Sequence, residues 1–406
     1  MTEYNPTLFV ALPALAELDY IAGFIDCLRS QTYRKFELTV CVNQPDEWWD
    51  NAEKVPVCEN NLKTILFLKK IKDIKIDIID KSSRGEGWKE KKSGVGWARK
   101  ILMNKIVLNA KNDDLIVSLD ADTTFSPGYF QSLVDSFKYH PKAVAAAIPY
   151  YHKLTGDEAA DRAILRYEIY LRYYDLNMLQ IGSPYAFTAI GSAIVLPVKS
   201  YKAIGGITPH KSGEDFYFLQ KLRKYGNVII WNNEKVYPAA RFSDRVDFGT
   251  GPAMIKGREG DWSSYPVYPQ HYFGVIKKLF DLFPSLFEKS VPTPLDDFIE
   301  EKFGTADIWT PLRNNSTGKG NFIKACHHKF DALRTFQFLK WKYSKETIND
   351  DKPELIKFIS QLNILNENVL NKFTFSSSSV EILDDIRNGL MRNETEIQRK
   401  IKVLCF

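Results

Sequence analysis

The sequence predicts an α/β fold, a mainly parallel sheet covered by helices, with a C-terminal α-helical appendage. Three observations predict it. Short apolar runs alternate with segments of helical periodicity through the first half, as in parallel strands joined by crossover helices. One of those strands ends in a pair of aspartates. Past about residue 275 the strand signals stop and the helical ones continue. The chain has 406 residues, which suits one large domain and a smaller one. We therefore expect an α/β domain over 1–275 and a mostly helical extension over 276–406.

The elements read in order as follows. Residues 8–12 are apolar and closed by Pro13, a first strand. Residues 17–30 place Leu18, Ile21, Phe24, Ile25 and Leu28 at helical spacing. Residues 36–42 and 74–79 are the second and third strands, with a helix around 62–68 between them. Residues 97–109 are helical again, and 115–119 form a central strand. Ser126 and Pro127 offer a capping hydroxyl and a first-turn proline to the next helix. Residues 143–148 are a strand. Thr155 and Glu158 have capping-box spacing before a tyrosine-rich helix that reaches about residue 179. Its Tyr167, Tyr170, Tyr173 and Tyr174 read as packing in preference to a sugar platform. Residues 186–196 are strand-like, 213–225 helical and 228–231 a strand. Residues 280–287 are amphipathic and interrupted by Pro284, 314–321 are a polar linker, and helical patterns follow.

Composition excludes several classes. No 18-residue apolar stretch exists, so no spanning helix is expected. The N-terminus lacks the basic segment and apolar core of a secretory leader. Cys27, Cys41, Cys58, Cys326 and Cys405 are scattered without a CxxC pair, which points to free thiols in a reducing, cytoplasmic setting and away from a cysteine metal site. A net charge of +5 suits a phosphate-bearing ligand or an anionic membrane surface, whereas nucleic acid needs a denser basic stripe.

The segment carrying most chemistry is the strand end at Asp120 and Asp122. Ligands of open α/β sheets gather beyond the carboxyl ends of the strands. An extended backbone sends carboxylates two apart to the same side. One or both can bind Mg²⁺ or Mn²⁺ bridging a nucleotide diphosphate, whose departing charge the cation neutralises. The same pair also suits a solvated strand end or a cap before Ser126.

The surrounding text resembles family 2 glycosyltransferases. That family has a first strand ending in proline, then a Gln-Thr-Tyr-x-x-Phe-Glu turn into a second strand. This chain has Pro13 and then Gln31, Thr32, Tyr33, Phe36 and Glu37. A Gly-x-x-x-Ala-Arg helix start follows at Gly94, Ala98 and Arg99, then the acidic strand, a Gly-Gly turn at Gly205 and Gly206, and a Glu-Asp pair at Glu214 and Asp215. The ordered matches run over roughly residues 8–230.

The resemblance implies a GT-A nucleotide-diphospho-sugar transferase fold. It also implies metal-dependent, inverting transfer of a sugar to a saccharide or lipid-linked acceptor, in polysaccharide or glycoconjugate synthesis. It places the donor beside Pro13, with Asp120 on ribose and metal, Asp122 on metal, and Asp215 (or else Glu214) as base. The family's acidic turn after the second strand is replaced here by Asn43-Gln-Pro-Asp46. Asn43 would then meet a base edge and Asp46 a ribose hydroxyl, with UDP the first donor to test and guanosine and thymidine open.

Arg99 reads as a contact to the nucleotide or to the Asp120 cluster. The loop 241–251 is dense in charge and glycine. Its Arg241 and Arg245 suit phosphate oxygens, and Lys256 and Arg258 extend it. An ordinary surface loop fits the same residues. His210 and His271 are weighed as a third metal ligand and read as structural. The basic, aromatic stretch from Lys319 to Lys345 suggests peripheral contact with an anionic membrane face or a solvated helical bundle. Rival functions are a sugar-nucleotide nucleotidyltransferase, though residues 14–19 lack its glycine-rich loop, and a non-catalytic nucleotide-sugar-binding protein.

Overall fold

The structure, a computed structural model, describes residues 4–89, 92–210, 212–245, 249–305, 307–346 and 350–400. Cys405 and the middle of the loop 241–251 lie outside the described residues. The chain forms two compact units: Met1–Ala160 with Thr188–Ile255, and Asp161–Phe187 with Lys256–Phe406. Residue 275, where we expected the division, falls inside a helix spanning Gln270–Glu288.

The first unit is built on a seven-stranded sheet. Its strands are β1 (Leu8–Ala14), β2 (Phe36–Asn43), β3 (Ile76–Lys81), β4 (Leu115–Ser118), β6 (Ala143–Ala147), β7 (Ile194–Pro197) and β8 (Asn227–Ile230), in spatial order β3-β2-β1-β4-β7-β6-β8. All pairings are parallel except those of β7. Every residue of β1 is buried, as an unbroken apolar run between two covered faces requires. Pro13 continues β1 instead of closing it, paired with Cys41 of β2. This is tolerated because β4 pairs only with Leu8 to Ala11, so at Pro13 that side of β1 has no ladder. A small second sheet pairs β5 (Thr123–Phe125) antiparallel with β9 (Val236–Pro238).

Helix Leu18–Arg29 buries Ile21, Phe24, Ile25 and Leu28, the face its spacing predicts. Three local expectations change. Helix Tyr129–Tyr139 starts after Gly128 without a side-chain cap, and the Ser126 hydroxyl instead donates to Glu234 at 2.7 Å. Ahead of helix Glu158–Gln180, Asp157 accepts from the Ala160 amide at 2.8 Å, the contact of an N-cap residue. Of the strand expected over 186–196 only Ile194–Pro197 forms, because the backbone turns at Gly191–Ala193, where the Gly191 carbonyl takes the Ser118 hydroxyl at 2.8 Å.

The second unit is helical and has a partly ionic interior. Helix Gln270–Glu288 buries Tyr272, Phe273, Ile276, Leu279, Phe283 and Leu286, and carries Pro284 internally. Tyr167 and Tyr170 meet Tyr265 edge-on, at ring distances of 5.2 and 5.6 Å, as packing residues do. Arg387 of helix Val380–Lys400 donates to Glu168 at 3.1 Å, and both side chains are fully buried. Arg172 donates to Glu394 at 2.8 Å. The stretch after residue 320 therefore shares its core with residues 161–187 of the sequence. Its basic charges are partly met within the unit, with Lys319, Lys342 and Lys345 paired to Glu288, Glu346 and Glu301. Among the described residues no helix is long and apolar enough to cross a membrane.

Candidate active site

The carboxyl ends of β1, β2 and β4 gather the residues singled out in the sequence. At the centre is Arg99, on the first turns of helix Val95–Asn109. Gly94 opens that helix at φ 98°, and a side chain on Gly96 would collide with the backbone of His210. Gly94 therefore serves a left-handed backbone, and Gly96 the close approach of another segment.

The Arg99 side chain is only 4% exposed and donates in three directions: Nη2 to Asp120 at 2.6 Å, Nη1 to Ser118 Oγ at 2.6 Å, and Nε to Glu214 at 3.0 Å. A fork of planar donors suits this triple contact, which a lysine ammonium could not reproduce. Of the two readings of Arg99, the structure places it in the Asp120 cluster. Gly191 stands against the guanidinium so closely that a Cβ there would overlap it.

The Glu-Asp pair separates into two environments. Glu214 is buried and bonded to Arg99. Asp215 is half-buried and accepts the Phe216 amide at 2.8 Å. Burial first, then the neighbouring Glu214 charge, pushes the Asp215 carboxyl up to about 7, against the pull of Arg99. Helix Glu214–Tyr225 starts after Gly213, which is held in the left-handed region at φ 72° and leaves the start without a side-chain cap hydrogen bond.

Asp122 lies on the other side of the acidic strand end. The β5–β9 pairing carries the chain back past it, and Ala239 N–H donates to the Asp122 carbonyl at 3.1 Å. Two residues on, Arg241 reaches the Asp122 carboxylate at 2.6 Å. Arg241 also donates to Glu17 at 2.7 and 3.0 Å and lies over the Tyr20 ring. Arg245 reaches Glu17 and donates to the Leu15 carbonyl at 2.6 Å. Burial first, opposed by Arg241 and reinforced by the Glu17 and Asp120 charges, pushes the Asp122 carboxyl up to about 6.

Two hard carboxylates two residues apart, with a third acid beside them, form a field that a divalent cation would relieve. Mg²⁺ commonly takes one or two protein carboxylates and completes its shell with substrate phosphate and water. Asp120 and Asp122 fit that pattern, their side chains being 33% and 16% exposed. Among the described residues no group of three or more His, Cys, Asp or Glu converges as a ready cage. His210 stacks on Tyr217 at a ring distance of 4.4 Å, and His271 meets Tyr272 edge-on at 4.6 Å.

Asn43, the last residue of β2, and Asp46 beyond it make their contacts within the protein. The buried Asn43 donates to the Ala14 carbonyl at 3.0 Å and accepts from Trp88 Nε1 at 3.1 Å, so its amide is turned into the protein and away from a base edge. Asp46 accepts the Gly85 amide at 2.7 Å, bracing the turn after β3. Lys256 donates to Ser264 at 3.3 Å. Sequence reasoning missed Glu17. Its signal is an acid at the carboxyl end of β1 set among apolar residues, buried to 5% exposure.

Residues 115–264 match the family model described as glycosyl transferase family group 2. No curated protein matches. Among solved structures, TarS 1–349 of S. aureus in complex with UDP superimposes at a TM-score of 0.39 and 11% identity, over 85% of this chain and 93% of that one. A mannosyltransferase, PcManGT from Pyrobaculum calidifontis in complex with GDP-Man and Mn²⁺, gives 0.39 and 11%, over 98% and 89%.

Proposed function

We propose, on the premise that this chain is a glycosyltransferase of family group 2, that it moves a sugar from a nucleoside-diphosphate donor to an acceptor hydroxyl with inversion at the anomeric carbon. One observation carries the reading. A single guanidinium, that of Arg99, ties the acidic strand end at Asp120 to the helix start that holds Asp215. The group that meets the donor and the group that meets the acceptor thus share one rigid reference.

Asp120 takes ribose and metal, and Asp122 takes metal. A bound Mg²⁺ or Mn²⁺ supplies charge neutralisation to the departing diphosphate. Arg241 and Arg245, on the donor side, present planar donors to phosphate oxygens. Pro13 and Asp46 shape the nucleoside side through the β1 end and the turn at Gly85. Asp215 takes the proton of the acceptor hydroxyl, and a carboxylate raised toward neutrality is a stronger base than an ordinary one. Glu214, bonded to Arg99, is the weaker candidate for that role and serves as a positioning residue.

UDP is the first donor nucleotide, GDP and dTDP the next. The acceptor is a saccharide or lipid-linked hydroxyl, in surface polysaccharide or glycoconjugate synthesis. We place the reaction in the cytoplasm. The free, buried Cys41, Cys58 and Cys326 support that compartment. Peripheral membrane contact has less support, since lysines of the basic stretch already face glutamates.

Calorimetric titration of UDP and GDP with and without Mn²⁺ tests the reading. Wild type should bind one of them tightly only with the metal, and Asp122→Ala should lose the metal dependence while keeping its fold. Equal binding by wild type without metal would overturn the metal assignment. A donor screen scored by released nucleoside diphosphate then names the sugar.

A further inference from the structure

Glu17 is an acid with no duty to its own helix. It stands at the N-terminal boundary of helix Leu18–Arg29, where acids commonly cap, yet it makes no side-chain cap hydrogen bond. The amides at that start are met by other residues: Ala16 N–H donates to Asn61 at 2.8 Å and Leu18 N–H to Asn60 at 3.1 Å. Ala16 is held at φ 53°, a left-handed conformation uncommon outside glycine, and this bend precedes Glu17 directly. A buried carboxylate without partners would be costly. The partners here are the two arginines of the following loop. Arg241 Nη2 reaches both carboxylate oxygens of Glu17 and also Asp122, while Arg245 contacts Glu17 and the Leu15 carbonyl.

Resting on the donor-site reading above, we propose that Glu17 is a positioning residue that seats Arg241, so that Asp122 can exchange its arginine for a divalent cation. In the structure Arg241 is shared between two carboxylates. Asp122 would hold the cation, which would supply charge neutralisation to a diphosphate beside it. Arg241 then stays on Glu17, beside the incoming phosphate oxygens, instead of being released into solvent. Without the Glu17 charge, Arg241 has Asp122 as its one anionic partner among the described residues and competes with the cation for it. No bond is made or broken in this exchange. It is a redistribution of ion pairs, and its signature lies in the metal dependence.

The test is a double-mutant cycle on cation binding. Mn²⁺ is titrated against wild type, Glu17→Gln, Arg241→Gln and the double variant in the presence of UDP or GDP. Bound Mn²⁺ is followed by electron paramagnetic resonance, and folding is checked by thermal melting. Glu17→Gln preserves shape and should raise the half-saturating Mn²⁺ concentration about tenfold, the order expected for one charge-assisted contact. In the Arg241→Gln background the same change should have little effect, because the competitor is gone.

A shift of the same size in both backgrounds would mean that Glu17 acts by its charge alone and would overturn the seat. So would a Mn²⁺ titration unchanged by Glu17→Gln. Trypsin gives a second readout, since cleavage after Arg241 should quicken in Glu17→Gln if Glu17 holds that residue. Unchanged cleavage beside intact donor binding refutes the role of Glu17 alone. Wild type that binds neither Mn²⁺ nor either nucleotide refutes the donor reading and the exchange together.

Discussion

Replacing Arg99 by methionine tests the central arrangement. Methionine approximates the length of the arginine stem and removes the three donated hydrogen bonds to Ser118, Asp120 and Glu214. The partners lose unequally. The Asp120 side chain is 33% exposed and keeps water, whereas the Glu214 side chain is 5% exposed and would be left as a buried, unpaired charge. Removing one partner of such a pair costs about 3–5 kcal/mol. At about 2–4 °C per kcal/mol for a unit of this size, the melting temperature should fall by about 6–20 °C. Replacing both Arg99 and Glu214 by methionine should recover much of that loss, because the desolvated charge disappears with its partner. Thermal melts by circular dichroism, checked by urea midpoints, read the comparison. An Arg99→Met protein within about 2 °C of wild type, or a double variant no better than the single, would refute the linkage argued here.

Other outcomes follow from the same geometry. Asp215→Asn should fold and bind donor, yet transfer sugar about 10²- to 10⁴-fold more slowly, as measured by product formation at saturating donor. Because the base acts when ionised and its carboxyl is pushed up to about 7, wild-type kcat/KM should rise with pH through that value and level off above it. A flat profile from pH 5 to 9 counts against Asp215. Gly191→Ala places a methyl against the Arg99 guanidinium, and overpacking of this kind costs about 1–3 kcal/mol. Both melting temperature and donor affinity should drop, whereas Gly182→Ala, with open space around it but a strained φ, should affect stability alone. Truncation after residue 320 removes Glu394 and Arg387, the buried partners of Arg172 and Glu168, so the product should be insoluble or molten, with poorly dispersed NMR signals.

The parallel strands were legible because a strand buried on both faces must be written largely in apolar residues: 8–12 is unbroken, 115–119 is interrupted only by Ser118, and 36–42 is continuous from Val40 on. Helix Leu18–Arg29 was legible through its one-sided periodicity. The strand over 186–196 was misjudged because the same apolar letters serve a buried turn, and only the third dimension shows Gly191 pressed on a guanidinium. Asp120, Asp122, Arg99, Glu214 and Asp215 stood out because they occupy strand and helix ends. Their pairing was hidden, since Arg99 and Glu214 are 115 residues apart. The surroundings of Asn43 were hidden for a similar reason: its partner, Trp88, lies 45 residues on. The grouping of residues 161–187 with a unit completed much later in the chain was hidden, because a helical periodicity cannot report which neighbours a helix has.

That interleaving has a consequence for synthesis. Arg172 leaves the ribosome 222 residues before Glu394, and Glu168 219 residues before Arg387. At translation rates of about 5–20 residues per second, the helix bearing them waits roughly 10–40 s for its counter-charges. During that interval its ionic face is hydrated and its tyrosine face uncovered, a sticky surface on a nascent chain. Chaperone demand and yield in a heterologous host should therefore respond to changes in helix Val380–Lys400 far more than to changes at the catalytic strand ends, and slowing the final stretch of translation should lower recovery of soluble protein.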